Sequence, residues 1–168
     1  MFNGTMPQLM AAYNQWQNQQ LYAAALQLND EQRKADCGAF FRSIHSTLNH
    51  ILWGDLNWMA RFCDETLIAR PIGVDIYDDF AELHAARIAM DQRIIAWADG
   101  INADWLAEPV TWTSKVYGFT QTIPRWVQVQ QMFNHQTHHR AQAGTLLKQF
   151  GIDIGVTDLP LMPVLMGD

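Results

Sequence analysis

The chain has 168 residues, 49% hydrophobic and 17% charged, which suits one domain with a buried core and excludes a disordered chain. Its formal net charge is −6, and its 11 Lys and Arg residues form no run or stripe. Binding to a phosphate backbone needs concentrated positive charge, so nucleic acid is not an expected partner.

The first helix is expected from about Met6 to Leu28, where Leu9, Met10, Tyr13, Trp16, Gln17, Leu21, Ala24 and Leu28 recur at three- and four-residue steps. A second runs from about Gly38 to Glu65, with the stripe Phe41, Ile44, Leu48, Ile51, Leu52, Met59 and Phe62. Arg70-Pro71-Ile72-Gly73 reads as a connection. A third spans about Tyr77 to Ala98 (Phe80, Leu83, Ala86, Ile88, Met90, Ile94, Trp97) and stops at Asp99-Gly100. Pro109 to Thr113 and Gly118 to Thr122 alternate and are rich in β-branched residues, which predicts a short hairpin turning over Ser114 to Gly118. The last helix begins at Pro124, a favourable first-turn residue, runs to about Phe150 and stops at Gly151. Ile152 to Asp168 is an ordered tail with no long element. The fold class is therefore all-α: a single domain over residues 1–168, a four-helix bundle whose long connection between helices three and four carries a β-hairpin. Its four stripes supply a core of ordinary size, so it is expected to fold without a metal ion.

The opening MFNGTMPQLM has neither the basic start nor the apolar run of a secretion signal, and no apolar stretch approaches the roughly 20 residues that span a bilayer. Cys37 and Cys63 form no C-x-x-C pair. A cytoplasmic protein with free thiols and no membrane association is expected. Cys37 stands near the start of the expected second helix, where a thiol pKa can fall, although a free cysteine more often serves packing.

Chemistry concentrates in the last helix, where His135 and His139 are four residues apart. That spacing stacks two imidazoles on one helix face, about 6 Å apart at Cβ, within reach of one ion. His138 points off that face. The pair alone also fits a solvated helix face, and a metal site needs a third ligand. His45, His50 and His84 are the candidates. His50 sits mid-helix among Leu48, Ile51, Leu52 and Trp53, where an imidazole needs either a metal or a buried hydrogen-bond partner. His45 lies five residues from His50 and cannot project along the same direction. There is no H-E-x-x-H, E-x-x-H, G-x-S-x-G, phosphate-binding loop or dinucleotide fingerprint.

Three segments in order resemble the DinB family of small metal-binding four-helix bundles. They are Tyr13-Asn14-Gln15-Trp16-Gln17-Asn18 with Leu21, then Leu48-Asn49-His50-Ile51, then His135-Gln136-Thr137-His138-His139-Arg140-Ala141-Gln142. The endings Leu147-Lys148-Gln149-Phe150-Gly151 and Val156-Thr157-Asp158-Leu159-Pro160 are similar to that family's too. Ala141 departs from the usual Gly, and Ala is the better helix former. The resemblance implies that His50, His135 and His139 converge on one divalent ion, nickel or zinc, and it points to a homodimer. The apolar tail (Leu159, Leu161, Met162, Val164, Leu165, Met166) and the seven Trp residues, more than one small bundle needs, agree with an interface.

Three neutral imidazoles leave a coordination position open, as in catalytic rather than structural sites. Relatives of this kind include transferases and isomerases in which the metal activates a low-molecular-weight thiol. The resemblance thus implies a metal-dependent enzyme acting on a small-molecule substrate, with a small thiol as cosubstrate. The alternatives are a non-catalytic metal-binding stress-response bundle and a metal-assisted hydrolase. An enzyme should aim further polar groups at the open position. Ser43, Ser46, Thr47 and Asn57 fall on or near the face of His50, Asn14 and Tyr13 are candidates from helix one, and no carboxylate is placed as a base. Each of these polar residues also reads as an ordinary solvated or interhelical hydrogen bonder.

Overall fold

The computed structural model describes residues 3–114 and 118–167. In chain order it contains α1 (Met6–Ala25), α2 (Asp30–Lys34), α3 (Ile44–Phe62), α4 (Phe80–Gly100), α5 (Ala103–Ala107), β1 (Pro109–Ser114), β2 (Phe119–Pro124), α6 (Arg125–Gln149), a 3-10 turn (Leu159–Leu161) and α7 (Pro163–Met166). The bundle core is α1, α3, α4 and α6. Helix α3 packs on α6, α1 packs on both α4 and α6, and α3 also touches α4. The fold is mostly helical, with β1 and β2 pairing antiparallel between α5 and α6. Among the described residues no helix is long and apolar enough to cross a membrane.

The hairpin is present, with its strands extended to Ser114 and Pro124. Lys115, Val116 and Tyr117 of its expected turn lie outside the described residues. Helix boundaries differ where caps overrule periodicity. The second long helix begins at Ile44, not Gly38. Gly38 and Arg42 both adopt left-handed backbone, and the Ser43 hydroxyl caps the helix by accepting the Ser46 N–H. The third begins at Phe80, because the Asp79 carboxylate accepts the Glu82 N–H, and it runs through Gly100 rather than ending at Ala98. Pro124 ends β2 and caps α6 instead of opening it. The two short helices α2 and α5 are additions to the expected four. Each starts at an Asn whose side chain accepts a backbone N–H three residues on, Asn29 from Gln32 and Asn102 from Trp105.

The stripe expected on α3 is buried throughout. Two others are buried in part as expected, at Gln17, Leu21, Ala24 and Leu28 of the first helix stripe and at Phe80, Leu83, Met90 and Ile94 of the third. On α1 the buried face is Ala11, Asn14, Gln17, Asn18, Leu21 and Ala25, while Leu9, Met10, Tyr13 and Trp16 are only half-buried. On α4, Ile88 is 46% exposed and Arg87 and Asp91 are buried in its place. The cause is a polar network in the core that joins all four long helices. Arg87 pairs with Asp55 of α3, and its second nitrogen lies 2.9 Å from Asp91 one turn on. Asp91 Oδ1 accepts from Asn14 (3.2 Å) and Asn18 (2.8 Å) of α1. Asp55 Oδ1 accepts 2.8 Å from Gln136 of α6, and Arg140 donates to Asn14. Burial holds the Asp91 carboxyl up to about 6 against the pull of Arg87, and holds Arg140 down to about 10.

Arg87→Met removes the cation that pairs with both Asp55 and Asp91 and leaves two buried carboxylates without their direct partner. A stability loss of about 3–5 kcal/mol is expected in urea unfolding. An unfolding midpoint equal to that of the parent would show that the network carries no stability.

Candidate metal centre

Helix α3 presents His50, and α6 presents His135 and His139. One ring nitrogen from each of the three can be chosen so that all lie within 4.8 Å of one another, and His50 Nε2 is 3.0 Å from His135 Nε2. Ring centroids are 4.9 Å apart for His50 and His135, 4.5 Å for His50 and His139, and 4.4 Å for His135 and His139. Nitrogens this close cannot all carry protons. Burial, reinforced by the neighbouring rings, holds His50 down to about 3 and His135 down to about 4, and burial also lowers His139. The cluster is therefore three neutral imidazoles at neutral pH.

Close approach of α3 and α6 makes this convergence possible. A Cβ placed on Gly54 would sit 2.4 Å from His135 Cε1, so only glycine leaves room for that ring. Phe41, at the end of the loop before α3, stacks on His50 at 3.9 Å and meets His139 edge-on at 5.5 Å. Trp53 stacks on His50 from one turn along the helix, at 5.7 Å. Gln142 orients His139 by accepting at 2.7 Å from its Nδ1, which leaves Nε2 free as a ligand. The Nδ1 atoms of His50 and His135 are buried with no hydrogen-bond partner among the described residues.

This donor set fits one divalent transition-metal ion. A tetrahedral ion bound at about 2.0–2.1 Å separates its ligand nitrogens by roughly 3.4 Å, within the spread found here. Neutral nitrogen donors suit zinc and nickel rather than magnesium or calcium.

The remaining histidines stay outside the cluster. His138 is exposed at the mouth, with Nε2 3.1 Å from Gln142 Nε2. His45 Nε2 lies 2.9 Å from the Tyr77 carbonyl, and His84 stacks on Tyr22. The polar residues expected near His50 bond elsewhere. Ser43 caps α3, and Ser46 donates to Asp75. Thr47 donates to the Ser43 carbonyl and Asn57 to the Trp53 carbonyl. Tyr13 reaches the Thr157 carbonyl, and Asn14 belongs to the core network. Cys37 lies in the loop before α3, and burial raises its thiol pKa, contrary to a helix-start activation. Ala141 is exposed. Gly54, Gln142 and the stacking role of Phe41 went unread in the sequence. The one available signal was a glycine in mid-helix, one turn after a histidine.

The folded imidazoles hold protons less tightly than those of the unfolded chain, whose ordinary pKa is near 6.5. The unfolded state therefore binds more protons between about pH 4 and 6.5. Stability from this cluster is full above that window and falls as the pH drops through it. In metal-free protein the urea midpoint should fall between pH 7.5 and pH 5, and should fall less in His50→Leu; equal falls would remove the cluster from the acid sensitivity. In Gly54→Ala, the nuclear Overhauser contact between the His50 and His135 rings should vanish. Its persistence would mean that the helices have room to spare.

The DinB family model matches residues 1–165 of this chain. The protein DinB of Bacillus subtilis (strain 168) is 24% identical over 155 residues, covering 89% of this chain and 88% of that one. The crystal structure of a DinB-like protein from Bacillus cereus ATCC 10987 superposes with a TM-score of 0.65 at 14% identity, covering 86% of this chain and 90% of that one. The last likeness is one of fold.

Proposed function

The chain belongs to the DinB family, and we propose that it is a metal-dependent enzyme in which His50, His135 and His139 hold one nickel or zinc ion and a low-molecular-weight thiol is the cosubstrate. The observation that carries this reading is the convergence of three neutral imidazoles from α3 and α6 with no charged side chain in the cluster. Three neutral ligands would leave a bound ion its full charge, and it would then favour a protic ligand as its anion, such as a thiolate. The chain's own residues supply the rest. Phe41 and Gln142 fix the rings, and the burial of His50 and His135 keeps them neutral and available as donors at neutral pH.

The three rings open onto a cleft of about 380 Å³ walled by Phe40, Phe41, Trp53 and Ile72, with His138 and Gln142 at the edge. Phe40 is 83% exposed there, an apolar surface that a bound organic molecule would cover. With no Lys, Arg, Asp or Glu among these lining residues, the cleft suits a small, uncharged or weakly charged electrophile. The same absence of a carboxylate is the observation that favours the non-catalytic alternative, since no acidic group is placed as a general base. The exposed apolar Leu161, Val164 and Met166 near the C-terminus support association as a homodimer.

Elemental analysis of untagged protein should find about one divalent ion per chain, lost in His139→Ala. In cobalt-loaded protein, 2-mercaptoethanol should shift the visible absorption. If the thiol neither shifts that spectrum nor supports turnover of any electrophile, thiol transfer is wrong, and a metal-assisted hydrolase or a non-catalytic role takes its place.

A further inference from the structure

The hairpin encloses a second pocket, distinct from the histidine cleft. Alternation along its strands splits the hairpin into two faces. The outer face pairs Thr111 with Thr122 and Thr113 with Thr120, each at 2.9 Å between hydroxyls. The inner face turns Trp112 and Ser114 of β1, and Phe119, Gln121 and Ile123 of β2, toward α3 and α6. It does not close onto the helices. A pocket of about 460 Å³ remains, with Trp58 of α3 and Val127, Gln128 and Gln131 of α6 on its other walls. It shares no lining residue with the histidine cleft.

Two features of this pocket suit a ligand. The first is its wall of aromatic faces: Trp112 and Phe119 meet edge-to-face at 5.5 Å, and Trp58 is backed by a stack on Phe62 at 5.8 Å. The second is Gln128. It is only 5% exposed, lines the pocket, and its carboxamide makes no hydrogen bond to any described residue. Its carboxamide offers two donors and an acceptor and is not sealed from solvent, so it is open to a ligand that enters the pocket. None of the described lining residues is charged.

We propose that this pocket is a second small-molecule site, which takes a flat, uncharged ring bearing a carboxamide-type edge. The ring lies against Trp112 and Trp58, and its edge exchanges a donor and an acceptor with Gln128. An amide edge is the complement of the Gln128 carboxamide, since each presents an N–H beside a carbonyl. A carboxylate would offer acceptors only and would lose its hydration among uncharged walls, and a plain hydrocarbon would leave Gln128 unmatched.

Benzamide is the probe, with toluene and benzoate as controls, titrated against the full chain by ligand-observed saturation-transfer NMR. Benzamide should bind more tightly than toluene by about 5- to 30-fold, the range of one or two net hydrogen bonds, and benzoate should bind least. The near-isosteric Gln128→Met should erase the preference for benzamide over toluene. Trp112→Ala, on the hairpin and away from the helical core, should weaken both. His50→Ala should leave benzamide binding unchanged, which separates this site from the histidine cleft whatever the outcome there. Absence of benzamide binding, a preference that survives Gln128→Met, or loss of binding in His50→Ala would each overturn the proposal.

Discussion

Asp55 is wholly buried, and its two carboxylate oxygens face different helices, Arg87 of α4 on one side and Gln136 of α6 on the other. A carboxylate sealed from water must be met by donors on both oxygens, so the rotations of α3, α4 and α6 about their axes are fixed together at this point. The histidine cluster depends on that fixed rotation. Gly54 adjoins Asp55 on α3, and His135 adjoins Gln136 on α6. The core contact and the site contact are therefore neighbouring pairs on the same two helices. With about 100° between successive residues, a rotation that aims Asp55 at Gln136 also aims the bare Cα of Gly54 at the His135 ring.

The network reaches α1 through Asp91, Asn14 and Asn18, and returns to α6 through Arg140. Every long helix thus contributes a buried polar group. Such groups give little net stability over a well-packed apolar core, and removal of one partner is costly. Their effect here is geometric. Apolar faces can slide and rotate against one another with small penalties, whereas a chain of charge-assisted hydrogen bonds fits only one arrangement. A cluster of three rings that must meet within a few ångströms needs that constraint.

The features that could be read from the sequence were local ones. The α3 stripe, the hairpin, the stop at Gly151 and the His135/His139 spacing all rest on periodicity or on single-residue stereochemistry. His50 emerged as a third candidate because an imidazole amid Leu48, Ile51 and Leu52 needs an explanation. What escaped was whatever depends on a distant partner. Asn14, Asn18, Arg87 and Asp91 count as surface residues by type, so the expected stripes of α1 and α4, otherwise buried in large part, took in Leu9, Trp16 and Ile88 in their place. Their burial makes sense only once Asp55 and Arg140 stand opposite. The Ser43 and Asp79 caps were local too, but apolar residues running past them masked the signal. Gln142 and Phe41 act on histidines brought close by the fold, and no spacing rule assigns those roles.

The centre depends on neutrality as much as on convergence. Burial keeps His50 and His135 unprotonated well below neutral pH, and the cleft onto which they open is lined by no Lys, Arg, Asp or Glu among the described residues. A divalent ion entering there would meet three donors already in the required state, and the chain would not need to release protons to accept it. The most direct test of that account is X-ray absorption spectroscopy on zinc- or nickel-loaded protein, compared with His50→Gln. The account predicts three imidazole nitrogens at about 2.0–2.1 Å in the parent protein and one fewer in the variant. An ion held by sulfur or by carboxylate oxygens, or an imidazole count unchanged in His50→Gln, would contradict it.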